Sequence, residues 1–365
     1  MISRRSVLAG LAAAAVAVPT IRVQAQQAAP PAAAPAAAPA VPLAPGPMRR
    51  VAIASGTVAT EAMLEGNGGD AGWLAFFNEM KAQGFVTGTN VTYERFSGSR
   101  VNMVRRLQGN TWNALGTTIA GTKPDLIVTT SSYIARGAST ATDTIPVVAI
   151  VGDMQAAGLV QNLAAPGANI TGVTAGAGAT REAARIALLK EAVPAAAKVA
   201  YLIKSQAESP TPWGTGMVAA ATGAGATPAF FDDVKDDAGL DLSAYLRALM
   251  DAQKGGANGL AIAEGIDLTE WAQTFGAYSL ALKLPGIAPW RDYVIGGGLM
   301  SFGPNYNEMF KTAGNTTARV LKGEKAGAIA VAQPAPELVV SQRNAKNLGV
   351  TLPAPLVAKA KEVLT

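Results

Sequence analysis

The sequence predicts an α/β protein: two doubly wound, Rossmann-like lobes joined by three crossover segments. Three observations carry this expectation. From Arg49 onward, short apolar or β-branched runs alternate with longer amphipathic ones. The short runs are apolar throughout rather than at every second residue, the pattern of a parallel sheet covered on both faces. A Gly/Ala-rich stretch from Pro166 to Ala179 divides the alternation into two series of similar size, each able to bury its own sheet.

In chain order, Val51–Ser55 (VAIAS) reads as the first strand. Gly72–Gln83 reads as a helix with Trp73, Phe76, Phe77 and Met80 on one face. Val91–Phe96 is a second strand and Val101–Ala120 a second helix. Asp125–Thr130 (DLIVTT), a helix from Ser132, and Pro146–Val151 (PVVAIV) continue the first series. The second series reads as helix Arg181–Ala192, strand Lys198–Ile203, and helices Pro212–Thr222 and Leu240–Gln253. Strand Gly259–Ala263, helix Leu268–Leu282 and strand Gly286–Trp290 follow. Crossings are expected in the Pro166–Ala179 stretch, near Trp290–Gly298 where GGGL interrupts the rhythm, and near Gln333–Pro336. These boundaries assign 49–166 and about 291–333 to the first lobe, and 167–290 and about 334–365 to the second.

Composition excludes whole classes of chemistry. With no histidine and no cysteine in 365 residues, the chain holds no Ser-His-Asp or Cys-His machinery. Cys/His zinc sites, Cys-ligated clusters, His-ligated haem and disulfides are excluded too, and no metal or cofactor is expected. The net charge of +5 falls to +2, 27 basic against 25 acidic residues, once Arg4, Arg5 and Arg22 are set aside as part of an export signal. A sequence pI of 9.4 therefore does not argue for nucleic acid.

Residues 1–25 carry a basic start (Arg4, Arg5), an apolar run from Val7 to Val18 and a small-residue cleavage site at Val23-Gln24-Ala25, the pattern of a signal peptide. Ser3-Arg4-Arg5-Ser6-Val7-Leu8 resembles the twin-arginine export motif; an ordinary Sec signal containing two arginines is the alternative. Residues 26–48 form an Ala/Pro-rich segment expected to be a disordered or polyproline-II tether. No Cys follows the signal to take a lipid. The expectation is a periplasmic monomer that is not itself anchored to a membrane.

Five collinear blocks carry a resemblance. DLIVTTSSYIARGAST followed by IPVVAIVGDMQAAGLVQNLAAPGANITGV, then LLKEAVPAAAKVAYL, GGLMSFGPNYNEMF and LVVSQRNAKNLGVTLPAPLV together resemble the ABC-transporter substrate-binding proteins of the aromatic-amino-acid-binding type. The resemblance spans roughly residues 50–363. It implies a type I periplasmic-binding-protein fold, a small-molecule solute enclosed between the lobes, and an ABC permease in the inner membrane as partner. It also implies that the Thr129–Ser132 turn receives the solute carboxylate. Met154 stands where the family usually has the proline of Gly-Asp-Pro. Tyr133 replaces a small residue, and Ser205-Gln206 stands in place of an Asn-Pro type loop.

In open α/β sheets ligands sit beyond the carboxyl ends of the strands, so the turns there supply the candidates. Ser55, Gly56 and Thr57 follow the first strand and let backbone amides approach a carboxylate; a plain turn is the alternative. Thr130, Ser131 and Ser132 open a helix, one of them serving as its N-cap. Asp153, at the end of the fourth strand, can pair with an ammonium or cap the next segment. Thr174 and Ser205 follow strands read into the second lobe. Glu264 and Asp267 follow GLAIA, and Trp290, Tyr293, Phe302 and Trp213 are aromatic candidates for stacking or for core. The expected solute is an amino acid or related small carboxylate, its carboxylate at Ser131/Ser132 and its ammonium at Asp153.

Capture for import is favoured over two other readings, and a third stays open. Asp232-Asp233 and Asp236-Asp237 lie in a polar stretch (FDDVKDD) that reads as a solvated loop, which weakens an enzyme on this scaffold. A transcription regulator needs a helix-turn-helix where the Ala/Pro tract stands. A ligand sensor feeding a membrane receptor has the same binding domain and stays open.

Overall fold

The computed structural model describes residues 47–98, 111–176, 178–204, 212–231, 235–236, 239–240, 242–264, 269 and 271–365. The expected signal peptide and nearly all of the tether, with Ser205, Gln206, Asp232, Asp233 and Asp267, lie outside the described residues.

The first sheet is built from β1 (Arg49–Ser55), β2 (Val91–Ser97), β3 (Leu126–Thr129), β4 (Val147–Val151) and β5 (Ile170–Thr174), in the order β2-β1-β3-β4-β5. All its pairings are parallel. Helices α1 (Ala71–Ala82), α2 (Thr111–Gly121) and α3 (Ser132–Ala141) follow β1, β2 and β3. The second sheet begins after α4 (Ala179–Ala192) with β6 (Val199–Lys204), α5 (Pro212–Gly223) and β7 (Ala226–Phe231). A two-residue pair, β8 (Lys235–Asp236) and β9 (Gly239–Leu240), stands apart from it. Then come α6 (Leu242–Lys254), β10 (Gly259–Ile262), α7 (Ala272–Ala281), β11 (Gly286–Ala288), α8 (Arg291–Ile295) and β12 (Met300–Gly303). Helix α9 (Tyr306–Leu321) precedes β13 (Glu337–Ser341), α10 (Gln342–Leu348), α11 (Ala354–Lys359) and β14 (Glu362–Leu364). The strand order is β14-β13-β12-β11-β10-β6-β7, parallel except where β13 meets β12.

Continuous apolar strands follow from burial on both faces. In β1, Val51 and Ile53 join a cluster with Trp73, Phe76 and Met309, while Ala52 and Ala54 face Ile119, Ile134 and Ala138. In β6, Val199, Tyr201 and Ile203 face one cluster and Ala200 and Leu202 another. Trp73 of α1, fully buried, stacks edge-on against Phe310 of α9 at 5.3 Å, so α9 completes the first lobe although it follows a strand of the second.

Three assignments differ from the sequence reading. Residues 170–174 form the edge strand β5 of the first sheet, not a strand of the second. An apolar five-residue run fits either sheet, and β5 takes the open edge of β4. Gly172 permits that close approach, because a Cβ there would lie 1.9 Å from the Ala149 carbonyl oxygen. Residues 291–303 belong to the second lobe, where Met300 and Leu299 fill its core, so the second crossing lies between Gly303 and Tyr306. The GGGL turn near Gly298 instead packs under Tyr293: a Cβ at Gly298 would meet its ring at 2.1 Å.

The chain therefore crosses after β5, after β12, and between Ala332, which still pairs with Val173, and β13. The first crossing leaves the carboxyl edge of the first sheet, and the second leaves the carboxyl edge of the parallel part of the second. Both carboxyl edges thus adjoin the crossovers. Taken from its own first strand, each parallel series runs 2-1-3-4-5. Order reverses between β1 and β3 in one lobe and between β6 and β10 in the other, and such switch points are where α/β sheets hold ligands.

Candidate functional site

At the first switch point the Ser55 hydroxyl is fully buried. Its oxygen accepts from the amides of Thr57 (3.2 Å) and Val58 (3.0 Å), and the Thr130 hydroxyl donates to it at 3.1 Å. These bonds shape the turn after β1 and tie it to the turn after β3. Gly56 is needed for space, since a Cβ would sit 2.7 Å from the Trp112 ring. Thr57 remains partly exposed.

The α3 start is built by neighbouring hydroxyls. Thr129 Oγ1 accepts from the Ser131 amide at 3.2 Å, and Ser131 Oγ caps the helix by accepting from Ile134 at 3.4 Å. Capping uses an acceptor site of the buried Ser131 hydroxyl; Ser132 is partly exposed beside it. Tyr133, 38% exposed, meets Trp112 edge-on at 6.1 Å. Trp112 of that pair packs on the turn after β1 at Gly56, and the sequence reading missed it.

Asp153 does the capping job considered for it. Oδ1 accepts from the amides of Gln155 and Ala156, each at 2.9 Å, and so holds the turn after β4. Its Oδ2 faces Gly178, where a Cβ would lie 3.6 Å away. Thr174, read into the second lobe, ends β5 of the first. It is buried and donates to the Gly152 carbonyl at 3.0 Å, bracing the Asp153 turn.

The second switch point holds a buried ion cluster. Arg185 of α4 is fully buried; its Nη1 donates to Glu264 Oε2 and to the Phe302 carbonyl, both at 3.0 Å, and its Nη2 to Glu182. The Tyr306 hydroxyl donates to Glu264 Oε1 at 2.7 Å and accepts from the Trp290 indole at 3.2 Å. Tyr306 opens α9, so this chain of bonds spans the second crossing. Burial raises the Glu182 pKa above its ordinary value, against the pull of Arg185. Burial and then Glu264 push the Tyr306 hydroxyl well above its usual range. Burial alone would lower the Arg185 pKa, but the two carboxylates outweigh it and raise it.

Trp290 is 2% exposed and Tyr293 fully buried, the latter donating to Ser279 at 2.8 Å. Both serve the core rather than an open stacking face. Two surface depressions lie away from the switch-point turns, one beside Asn305, Pro334 and Lys359 and one beside Asp143, Asn169 and Lys325. Among the described residues no group of three or more His, Cys, Asp or Glu is arranged to hold a metal, and no helix is long and apolar enough to cross a membrane.

Sequence reasoning missed Arg181, Glu182, Arg185 and Tyr306. The available signal was the i, i+1, i+4 spacing of Arg181, Glu182 and Arg185 just after a Gly-rich crossing. Such a charged stripe ordinarily reads as a solvated face.

Comparison with known proteins agrees with this architecture. No curated protein matches the sequence. A conserved domain protein from Vibrio cholerae superposes with a TM-score of 0.69 at 21% identity, covering 87% of this chain and 99% of that one. A Streptococcus pneumoniae ABC domain solved in complex with L-Trp gives 0.70 at 18% identity, covering 87% and 100%. A Burkholderia graminis ABC-transporter solute-binding protein in complex with D-arabinose gives 0.54 at 12%, covering 82% and 96%. At these identities the structures speak for the shared fold. The family described as ABC transporter substrate binding protein matches residues 58–364, nearly all of the two lobes. The chain belongs to the ABC transporter substrate-binding protein family, with the two-lobed type I periplasmic-binding-protein fold.

Proposed function

We propose that this protein is the periplasmic solute-binding component of an ABC importer. It is exported by its amino-terminal signal, captures a small solute between its lobes and delivers it to an inner-membrane permease. The observation that carries the reading is the repeated 2-1-3-4-5 order, with both switch points turned to the three crossovers. A solute held there touches both lobes when they close, and only such differential contact shifts an open–closed equilibrium. The solute is an amino acid or related small carboxylate. Ser131 and Ser132 supply hydroxyl donors, and Asp153 Oδ2 supplies an acceptor for an ammonium. The L-Trp complex of the pneumococcal neighbour supports this class, while the D-arabinose complex marks the alternative the test must separate.

The activity is binding alone, with the solute returned unchanged. Thermal unfolding against amino acids, dicarboxylates and sugars tests this. A true ligand at 100 times its Kd adds ~2.7 kcal/mol, roughly 5 °C for a protein of this size. A flat response across all three classes refutes solute capture; conversion of the bound compound refutes binding as the whole activity.

A further inference from the structure

Among the described charged side chains around the second switch point, Arg181 has no acid partner. Arg185 is closed on itself by two carboxylates and a carbonyl. Arg181, one turn earlier on the same stripe of α4, has no carboxylate within 4.0 Å among the described residues. Its one hydrogen bond runs from Nη1 to the Ala175 carbonyl. A guanidinium carries five donors in a planar fork suited to a carboxylate, so most of its capacity is unspent.

Its position is the junction of the lobes. Ala175 is the first residue after β5, where the first crossing begins, and Gly176 follows at φ +65°. A Cβ at Gly176 would lie 2.9 Å from Arg181 Nη2 and 2.1 Å from the Gln333 amide of the third crossing. The guanidinium thus lies beside Gly176 of the first crossing, against which Gln333 of the third crossing also packs, and is half-buried. Burial first, and then the like charge of Arg185, lower its pKa while Glu264 pulls the other way. On the neighbouring side of the first crossing, Asp153 Oδ2 faces Gly178, which caps the same helix.

We propose that Arg181 is the counter-ion for a carboxylate of the captured solute, which makes the solute an acid rather than a neutral sugar. This rests on the solute-capture reading and names the chemistry of its ligand. With Asp153 as the acceptor for an ammonium, the two charges suit the two ends of an amino acid. The fork pairs with the carboxylate from α4 in the second lobe, while Asp153 belongs to the first, so the acid links the lobes.

The test is calorimetric titration of the full chain with matched pairs: L-tryptophan and its amide, L-glutamate and its α-amide, succinate and succinamide, with D-arabinose as a neutral reference. In the parent the tightest probe is an acid and its less charged partner binds at least ~30-fold weaker, as expected for loss of a buried charged pair. Arg181→Met weakens the acid by at least ~30-fold and leaves the partner within about 3-fold. Arg181→Lys, which keeps the charge and a donor for Ala175, falls between and guards against a folding defect in Arg181→Met. An unchanged acid-to-partner ratio in Arg181→Met overturns the assignment. Tight binding of D-arabinose with no response to any acid overturns it too, and leaves solute capture standing. Silence from every probe counts against both.

Discussion

Arg185→Met tests the buried cluster most sharply. The parent guanidinium is fully buried, bonded to Glu182, to Glu264 and to the Phe302 carbonyl. Methionine fills similar space but leaves two carboxylates facing each other in a low-dielectric site. Breaking a buried ion pair by removing one partner costs ~3–5 kcal/mol. At ~2.1 cal/mol/K of unfolding entropy per residue over residues 58–364, that is a Tm loss of about 5–8 °C, and more if the second lobe unfolds by itself. The loss depends on pH with a definite sign. Burial already raises the folded pKa of Glu182 above the ordinary 4.5, and Arg185 is what restrains it. Without Arg185 the folded pKa rises further. As pH climbs through 4.5 the unfolded chain releases its proton before the folded one does, so folding loses stability over that interval. The variant-minus-parent difference is therefore largest near pH 8 and shrinks toward pH 4.5, where Glu182 can hold its proton. Calorimetric melting of parent and variant between pH 4.5 and 8 measures it. Combining Glu182→Gln, Arg185→Met and Glu264→Gln removes every charge of the cluster and should restore more than half of the lost Tm. A Tm loss under 2 °C (roughly 1 kcal/mol) or one equal at both pH values refutes the argument.

Three further outcomes are expected. Gly176→Ala strains a positive-φ position and drives a methyl into the Gln333 amide and Arg181; it should cost ~1–3 kcal/mol in chemical denaturation, and a neutral effect would mean the crossovers are not packed as described. Asp153→Asn keeps an acceptor for the Gln155 and Ala156 amides but removes the charge. It should therefore melt within a few degrees of the parent yet bind an amino-acid solute about 30-fold more weakly by titration calorimetry. Replacing Arg4 and Arg5 by lysines should block export in a fractionation assay if the twin-arginine reading holds; undiminished periplasmic protein would favour the Sec route.

As far as Trp290, and apart from β7 and the β8–β9 pair, the order of strands and helices was legible from residue pattern, because each apolar run and amphipathic stripe is local. Trp73, Phe76, Phe77 and Met80 read as one helical face and are buried as one. The turns after β1, β3 and β4 were legible too, since small hydroxyls and an Asp at strand ends announce themselves in the chain. What each turn residue bonds to was not legible. Ser55 and Thr130 meet across 75 positions, and that contact exists only once β1 and β3 pair.

The sequence by itself determined the fold class, the absence of His and Cys chemistry, and the resemblance to a solute-binding family. Tertiary structure alone decided which sheet β5 and β12 enter, because an apolar strand carries no label for its partner and pairing is a non-local choice. It also decided the fate of the charged stripe on α4. By pattern Arg181, Glu182 and Arg185 belong to solvent. The fold instead turns that stripe toward Glu264, Phe302 and the crossovers, where burial closes Arg185 among acids and leaves Arg181 without an acid partner among the described residues.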